Sequence, residues 1–423
     1  MNAIAALLIF IIVYFFIISE KTNRVIPAML GAVLLLFLRV FNDPHLVFVK
    51  YIDFNTIFLL VGMMTFVVTI QETGFFEFVA FEILKISKGS LGKTFLLLNL
   101  AVFFFSAFLD NVTTILIFVP ITLAIADAID IEATFMIVTE IISSNIGGTT
   151  TLVGDPPNIM IGSAAKLSFL NFVMNTGVAG AIIFVIVVFA MYLLNFKKLN
   201  SKFDTNSFQS SLRFDKNRIL KAFLLVVITI LLFSVQEFIK VENSVIALAM
   251  AFVSIVVLGN KEPGEYLAKI EWETIFFFIG LFLITGALED TGTLEKLAIY
   301  LEKTFGKSEE MFGLSLFSSS FIMSGFVDNI PFTATMIPII KSLPKVNPAV
   351  FVDLKPLWWA LSLGACLGGN LTPIGASANV VALAILEKSQ RRKMSFWSFI
   401  KNTLLINIIV FVVTLIYIDI RYF

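Results

Sequence analysis

The chain has 423 residues, 58% of them hydrophobic and 14% charged, with a formal net charge of zero. That balance excludes an ordinary soluble domain, which carries more charge, and leaves no basic surface for nucleic acid. One cysteine (Cys366) and one histidine (His45, in a short polar connection) exclude an intrachain disulfide, a thiolate cluster and a His-built metal site.

Apolar runs near 20 residues recur along the whole length, as in an all-α polytopic membrane protein. The first, 3–18, lacks a basic leader and a small-residue cleavage site and reads as a retained span. Spans follow at 24–41 and 54–71. An apolar segment, 94–126, carries Asp110-Asn111 in its middle, and spans at 133–165 and 170–195 close the first half. A polar stretch, 197–218, reads as a cytoplasmic linker. The second half repeats the order at 219–236, 243–258, 272–288, 311–343 around Asp328-Asn329, 356–388 and 398–419. No Gly-rich phosphate loop with its lysine is present, so nothing points to ATP as the energy source.

The halves are copies. Thr56, Gly62, Thr73, Gly74, Ser106, Asp110, Asn111 and Pro120 match Thr274, Gly280, Thr291, Gly292, Ser324, Asp328, Asn329 and Pro338 at a spacing of 218. Gly147, Gly148, Thr151, Gly154 and Asn158 match Gly368, Gly369, Thr372, Gly375 and Asn379 at 221. Duplicated halves with interrupted helices mark secondary transporters.

A turn at Asp110-Asn111 leaves arms of about 16 residues, roughly 24 Å as helix. This is short of a hydrocarbon core of roughly 30 Å, so each Asp-Asn segment is expected to be a re-entrant hairpin. Each half then has five spans, one hairpin and one broken helix. An odd number of spans makes the repeats, 1–196 and 219–423, inverted. The linker side collects 19 Lys and Arg against 11 opposite. The positive-inside rule then puts the linker in the cytoplasm and both termini outside a plasma (inner) membrane.

The run Ser143 to Asn158 contains Gly147-Gly148, Thr149-Thr150-Thr151, Gly154, Asp155 and Pro156-Pro157. No continuous helix tolerates it. Gly368 to Asn379 is its counterpart, with Asn370, Thr372, Gly375 and Ser377. Freed carbonyls and helix ends at such breaks bind ions, so each break is expected to face its own hairpin tip, giving two related sites. Candidate binding residues are Asp110, Asn111, Thr113, Asn145, Gly148, Thr149, Thr151, Gly154, Asp155 and Asn158. From the second half they are Asp328, Asn329, Thr333, Gly369, Asn370, Thr372, Gly375, Ser377 and Asn379. Asp110 and Asp328 are also simple N-cap candidates. As buried carboxylates they are expected to bind a coupling proton, or Na+ together with Asn111 and Asn329. Glu140, one turn before the first break, is a further coupling candidate or a helix-to-helix hydrogen bond; Leu361 holds its place in the second half. Cys366 reads as a small packing residue. Apart from Lys341, 13 residues past Asp328 in the second hairpin segment, no Lys or Arg lies within the hairpins or breaks, which favours cations, protons or neutral solutes over dicarboxylates.

Asp110-Asn111-Val112-Thr113-Thr114 with Pro120, and Asn145 to Asn158, carry a resemblance to the ArsB/NhaD group of the ion transporter superfamily. Asp328 to Pro338 and Gly364 to Val380 carry it in the second half. The group comprises arsenite permeases, NhaD-type Na+/H+ antiporters and the melanosomal P protein, and the P-protein branch is nearest. More distantly the chain is similar to divalent-anion/sodium symporters, though Asp110 and Asp328 replace the serine of their hairpin tips. The resemblance implies a scaffold part, an elevator-like moving part and a homodimer. The expected function is proton-coupled antiport of a small inorganic ion or oxyacid, arsenite or Na+, in contact with membrane lipids, without a cofactor beyond Na+ or H+. The alternatives are Na+-coupled di- or tricarboxylate transport, a channel, and an intramembrane aspartyl protease using Asp155 with Asp110. Leu152 stands where the protease motif needs a glycine.

Overall fold

The computed structural model describes residues 2–19, 21–203, 214–306, 308–390 and 393–423. Residues 204–213 of the linker lie outside them. The described chain is all helical; a single isolated bridge, Ser90 to Lys202, is its only β contact.

Helices of ten or more residues are numbered here, with the π turn Val173–Gly177 included in its surrounding helix. The first half has α1 (Asn2–Ser19), α2 (Val25–Phe37), α3 (Phe54–Gln71), α4 (Phe75–Ser87), α5 (Leu91–Ser106), α6 (Asn111–Ala128), α7 (Thr134–Thr149), α8 (Pro156–Ala165) and α9 (Phe169–Leu194). The second has α10 (Lys216–Ile239), α11 (Asn243–Leu258), α12 (Trp272–Asp290), α13 (Thr293–Phe305), α14 (Glu309–Val327), α15 (Asn329–Val346), α16 (Lys355–Gly368), α17 (Ser377–Gln390) and α18 (Phe396–Tyr422). Helices α2 to α6 begin 218 residues before α11 to α15, and α7 and α8 begin 221 before α16 and α17. Local sequence therefore sets the same helix starts twice.

Among the described residues, seven helices (α1, α3, α9, α10, α12, α14 and α18) are long and apolar enough to cross a membrane. The protein is an integral membrane protein. Arm α5, at 16 residues, is shorter, but α14, at 19 residues, meets the length criterion. Length alone therefore does not separate a re-entrant hairpin from two spans. Amphipathic α4 and α13 were not anticipated from apolar runs. Each follows a glycine at positive φ, Gly74 (75°) and Gly292 (69°), which turns the chain sharply after α3 and α12.

The halves interlock. Helix α3 packs on α11 and α12 packs on α2. A Cβ added at Gly62 would come within 2.6 Å of the Ala247 backbone, and one at Gly280 within 2.9 Å of the Ala28 backbone. These glycines let the helices approach backbone to backbone. Within each half, α5 packs on α7 and α14 on α16, and Gly147 and Gly368 lie against the carbonyls of Phe103 and Phe321. Matched ion pairs clasp the ends of α3 and α12. Glu72 takes Lys261 at 2.9 Å and also Lys269, while Asp290 takes Lys50 at 3.1 Å.

Leucine at Gly62 or Gly280 should lower stability by about 1–3 kcal/mol each, read as the thermal unfolding midpoint of the purified protein; unchanged midpoints would contradict the close packing. Burial works to raise the Glu72 carboxyl, but hydrogen bonds from Lys269 and Lys261 outweigh it and hold Glu72 below its ordinary value. The clasp therefore stabilises above the unfolded value of about 4.3 and is lost as pH falls through the lower folded value. A Lys261→Gln, Lys269→Gln double variant should unfold earlier than the parent at pH 7. The gap should close as the pH is lowered past about 4.

Candidate functional site

Opening a helix leaves carbonyls without amide partners, and these must be satisfied inside the protein. At the first break, between α7 and α8, Asn158 does this. Its Nδ2 donates to the carbonyls of Gly148 (3.3 Å), Thr149 (3.1 Å) and Thr151 (2.8 Å). At the second break, between α16 and α17, Asn379 Nδ2 donates to Gly369 (2.7 Å) and Thr372 (2.9 Å). The Thr151 hydroxyl ties the first break to the Ala107 carbonyl at the end of α5, and the Thr372 hydroxyl ties the second to Gly325 in α14. Glycine is required because the strands of the break nearly touch. A Cβ on Gly154 would lie 2.7 Å from the Gly148 and Ser106 carbonyls, and one on Gly375 2.7 Å from that of Gly369.

The breaks also bond across the halves. Asn145 Nδ2 donates to Asn379 Oδ1 (3.0 Å) and Asn370 Oδ1 (2.8 Å). Cys366 holds the place of Asn145 at the 221 spacing, and its thiol donates to Asn158 Oδ1 (3.5 Å), joined there by Ser362 Oγ (2.7 Å). Cys366 thus repeats the Asn145 contact from the other side, a role beyond packing. Asn111 Nδ2 reaches Asn145 Oδ1 at 3.4 Å, and Ser106 Oγ donates to Asn111 Oδ1 at 2.5 Å. A Cβ on Gly148 would collide with that Asn111 amide. The Thr149 hydroxyl serves the Asn145 carbonyl at 2.7 Å.

Each break does meet its own hairpin, as expected, but the two do not form separate sites. Asp155 of the first break accepts from Asn329 Nδ2 of the second tip, at 3.1 and 3.3 Å, and is only 3% exposed. Both tips and both breaks line one cavity of about 70 Å³, through Asp110, Asn111, Asp155, Asn329 and Ser377. Glu271 and Arg24 line it too.

The two aspartates at the tips are not equivalent. Asp110 caps α6, accepting from the Thr113 N–H (2.9 Å) and hydroxyl (2.5 Å), so Thr113 is occupied locally. Asp328 sits at φ 71°, where a side chain is strained. It accepts from the Ile330 N–H (3.1 Å) and from Arg24 Nη1 (2.6 Å). The expectation that no basic side chain reaches the tips fails here. Arg24 comes from outside both hairpins, at the start of α2. Thr333 and Glu140 do not line the cavity. Among the described residues the Thr333 hydroxyl is buried without a partner, and Glu140 accepts from the Thr122 hydroxyl while its second oxygen is unpaired.

Residues 14–364 match the model of a family described as citrate transporter. The chain belongs to that family. It is 35% identical over 429 residues to an uncharacterized transporter of Mycobacterium bovis, covering 100% of this chain and 99% of the relative. It is 31% identical over 461 residues to the P protein of Mus musculus, covering 89% of this chain and 55% of that protein. The expected P-protein likeness is met; the narrower ArsB/NhaD label is not what the family match names. A solved YdaH transporter of Alcanivorax borkumensis shares the fold, with a TM-score of 0.60 at 12% identity over 86% of this chain and 84% of that one. The chain is therefore a secondary membrane transporter.

Arg24 and Glu271 were missed because they lie outside the motifs, Arg24 at the first position of the span read as 24–41 and Glu271 just before the span read as 272–288. The spacing of 218 offered a signal for Glu271, which falls opposite Asp53. Each carboxylate precedes its helix and accepts from the matched threonine hydroxyl, Thr56 (2.8 Å) and Thr274 (3.2 Å).

Asn158→Ala should destabilise the purified protein by about 1–3 kcal/mol, the cost of leaving buried carbonyls unpaired. Asn158→Asp should cost more, since a carboxylate cannot donate to them. Equal midpoints for the two variants in thermal unfolding would refute this role.

Proposed function

We propose that the protein moves a small cation or a neutral oxyacid through the shared cavity, coupled to protons. Asp155 carries this reading. It is a buried carboxylate that accepts from a neutral amide, Asn329, and has no ion-pair partner among the described residues. An ionised carboxylate so placed is costly unless a proton or metal cation joins it. Asp110 and Glu271 line the same cavity, and the one basic side chain there, Arg24, is engaged by Asp328. The excess is negative. A polyanion within about 4 Å of a carboxylate would meet repulsion of about 4 kcal/mol at an effective dielectric near 20.

Na+ and arsenite (as the neutral oxyacid) fit this cavity chemistry, with Asp155, Asp110, Asn111 and Asn329 as the polar contacts. Asp328 contributes less to cation binding than its motif implies, since Arg24 already neutralises it. The crossed pairs α3/α11 and α2/α12 suit a fixed scaffold, and the hairpins with the broken helices suit the moving part of an elevator-like mechanism with inverted repeats. A homodimer, which the family resemblance implies, is part of the same proposal. The protease alternative has no support in the family's or the relatives' names.

A second reading, Na+-coupled citrate transport, draws on the family's description and on Arg24. It requires Arg24 to leave Asp328 for the cargo.

Flux into proteoliposomes of Na+, arsenite and citrate, each with and without a pH gradient, separates these readings. Flux of Na+ or arsenite driven by the gradient should fall at least about tenfold in Asp155→Asn, or roughly 1.4 kcal/mol. Citrate uptake that survives Asp155→Asn, needs sodium and collapses in Arg24→Gln would favour the second reading instead.

A further inference from the structure

Arg24 stands at the wall between two cavities. It lines the central one and also a vestibule of about 260 Å³ formed by Ile17, Thr22, Phe326, Asp328, Ser377 and their neighbours. One nitrogen, Nη1, donates both to Asp328 (2.6 Å) and to Ser377 (3.1 Å). The guanidinium also lies over the Phe277 ring, 4.9 Å from its centroid. Two structural groups therefore meet at this side chain. Arg24 and Phe277 belong to the interlocked pair α2 and α12. Asp328 belongs to the tip between α14 and α15, and Ser377 begins α17 after the second break.

We propose that Arg24 is a latch, a positioning residue that closes the central cavity toward this vestibule by bonding the scaffold to the second tip and the second break. The inference rests on reading the cavity as the cargo site and adds how one entrance to it is shut. A charged pair across the passage obstructs in two ways. It fills the opening, and separating it in a partly dry setting costs more than separating it in water. Because the two partners lie on different groups, sliding one group past the other must break the pair.

The latch is one-sided. A second vestibule, of about 700 Å³, uses Gln236, Lys240, Glu242 and Ile159, which match Ile18, Thr22, Arg24 and Val380 of the first at the repeat spacings. Glu242 holds the place of Arg24, while Asp110 holds the place of Asp328. Two carboxylates cannot form the pair, so the opposite entrance needs another closure. The repeat thus gives two similar vestibules, and the charge at one position makes them different.

Thiol labelling tests the latch without cargo or transport, so its outcome is distinct from that of the flux assay. Met64 lines the central cavity. Met64→Cys in a Cys366→Ser background, which keeps a donor for Asn158, supplies a reporter in proteoliposomes. A membrane-impermeant methanethiosulfonate applied from the vestibule face should react at least about tenfold faster after Arg24→Gln or Asp328→Asn. The opposite face should show no change, and the charge swap Arg24→Asp with Asp328→Arg should return the rate toward the parent's. Unchanged labelling in both single variants, or equal acceleration from both faces, would overturn the proposal, as would a monodisperse swap variant that stays fast.

Discussion

A helix opened in an apolar surrounding must find new partners for its freed carbonyls, and here asparagine side chains provide them. Asn158 and Asn379 each gather carbonyls from their own break. Each is in turn held by a donor from the other half, Cys366 with Ser362 in one case and Asn145 in the other. The same bonds that satisfy the backbone therefore join the halves. Close glycine contacts and the Thr151 and Thr372 hydroxyls then fix each break against its own hairpin. The cavity exists because these elements converge, and its polar lining follows from what the convergence leaves over.

The repeat supplies a symmetric frame and the charges break it. Helix starts, close-packed glycines and the carboxylates of the end clasps recur at fixed spacing. Asp110 and Asp328 share a motif yet differ in chemistry, one a local cap and the other paired to Arg24. Glu242 opposite Arg24, and Leu361 opposite Glu140, are departures of the same kind. A transporter that treats its two sides differently needs such differences, and a duplicated scaffold acquires them one side chain at a time.

Most of the fold was legible because two signals are local. Apolar run length marked the spans, so α3 runs over 54–71 as read, and Gly, Thr and Pro clusters marked the breaks. Amphipathic α4 and α13 were missed because their apolar faces are interrupted by charge. The candidate residues around Asp155, Asn158 and Asn379 are brought together, since break chemistry is written in contiguous sequence. Their partners were not legible. Asp155 finds Asn329 from the other half, and Asp328 finds Arg24 from 304 residues away. Such pairs depend on how the halves cross, and no spacing encodes that crossing. The reading of two sites failed for the same reason.

The central claim is that tips and breaks from both halves form one cargo site. Equilibrium binding to purified protein in detergent, with radioactive Na+ or arsenite, measures this as stoichiometry. One site per chain is expected, abolished equally by Asp155→Asn in the first half and Asn329→Ala in the second. Two sites per chain, each variant removing only its own, would contradict the account.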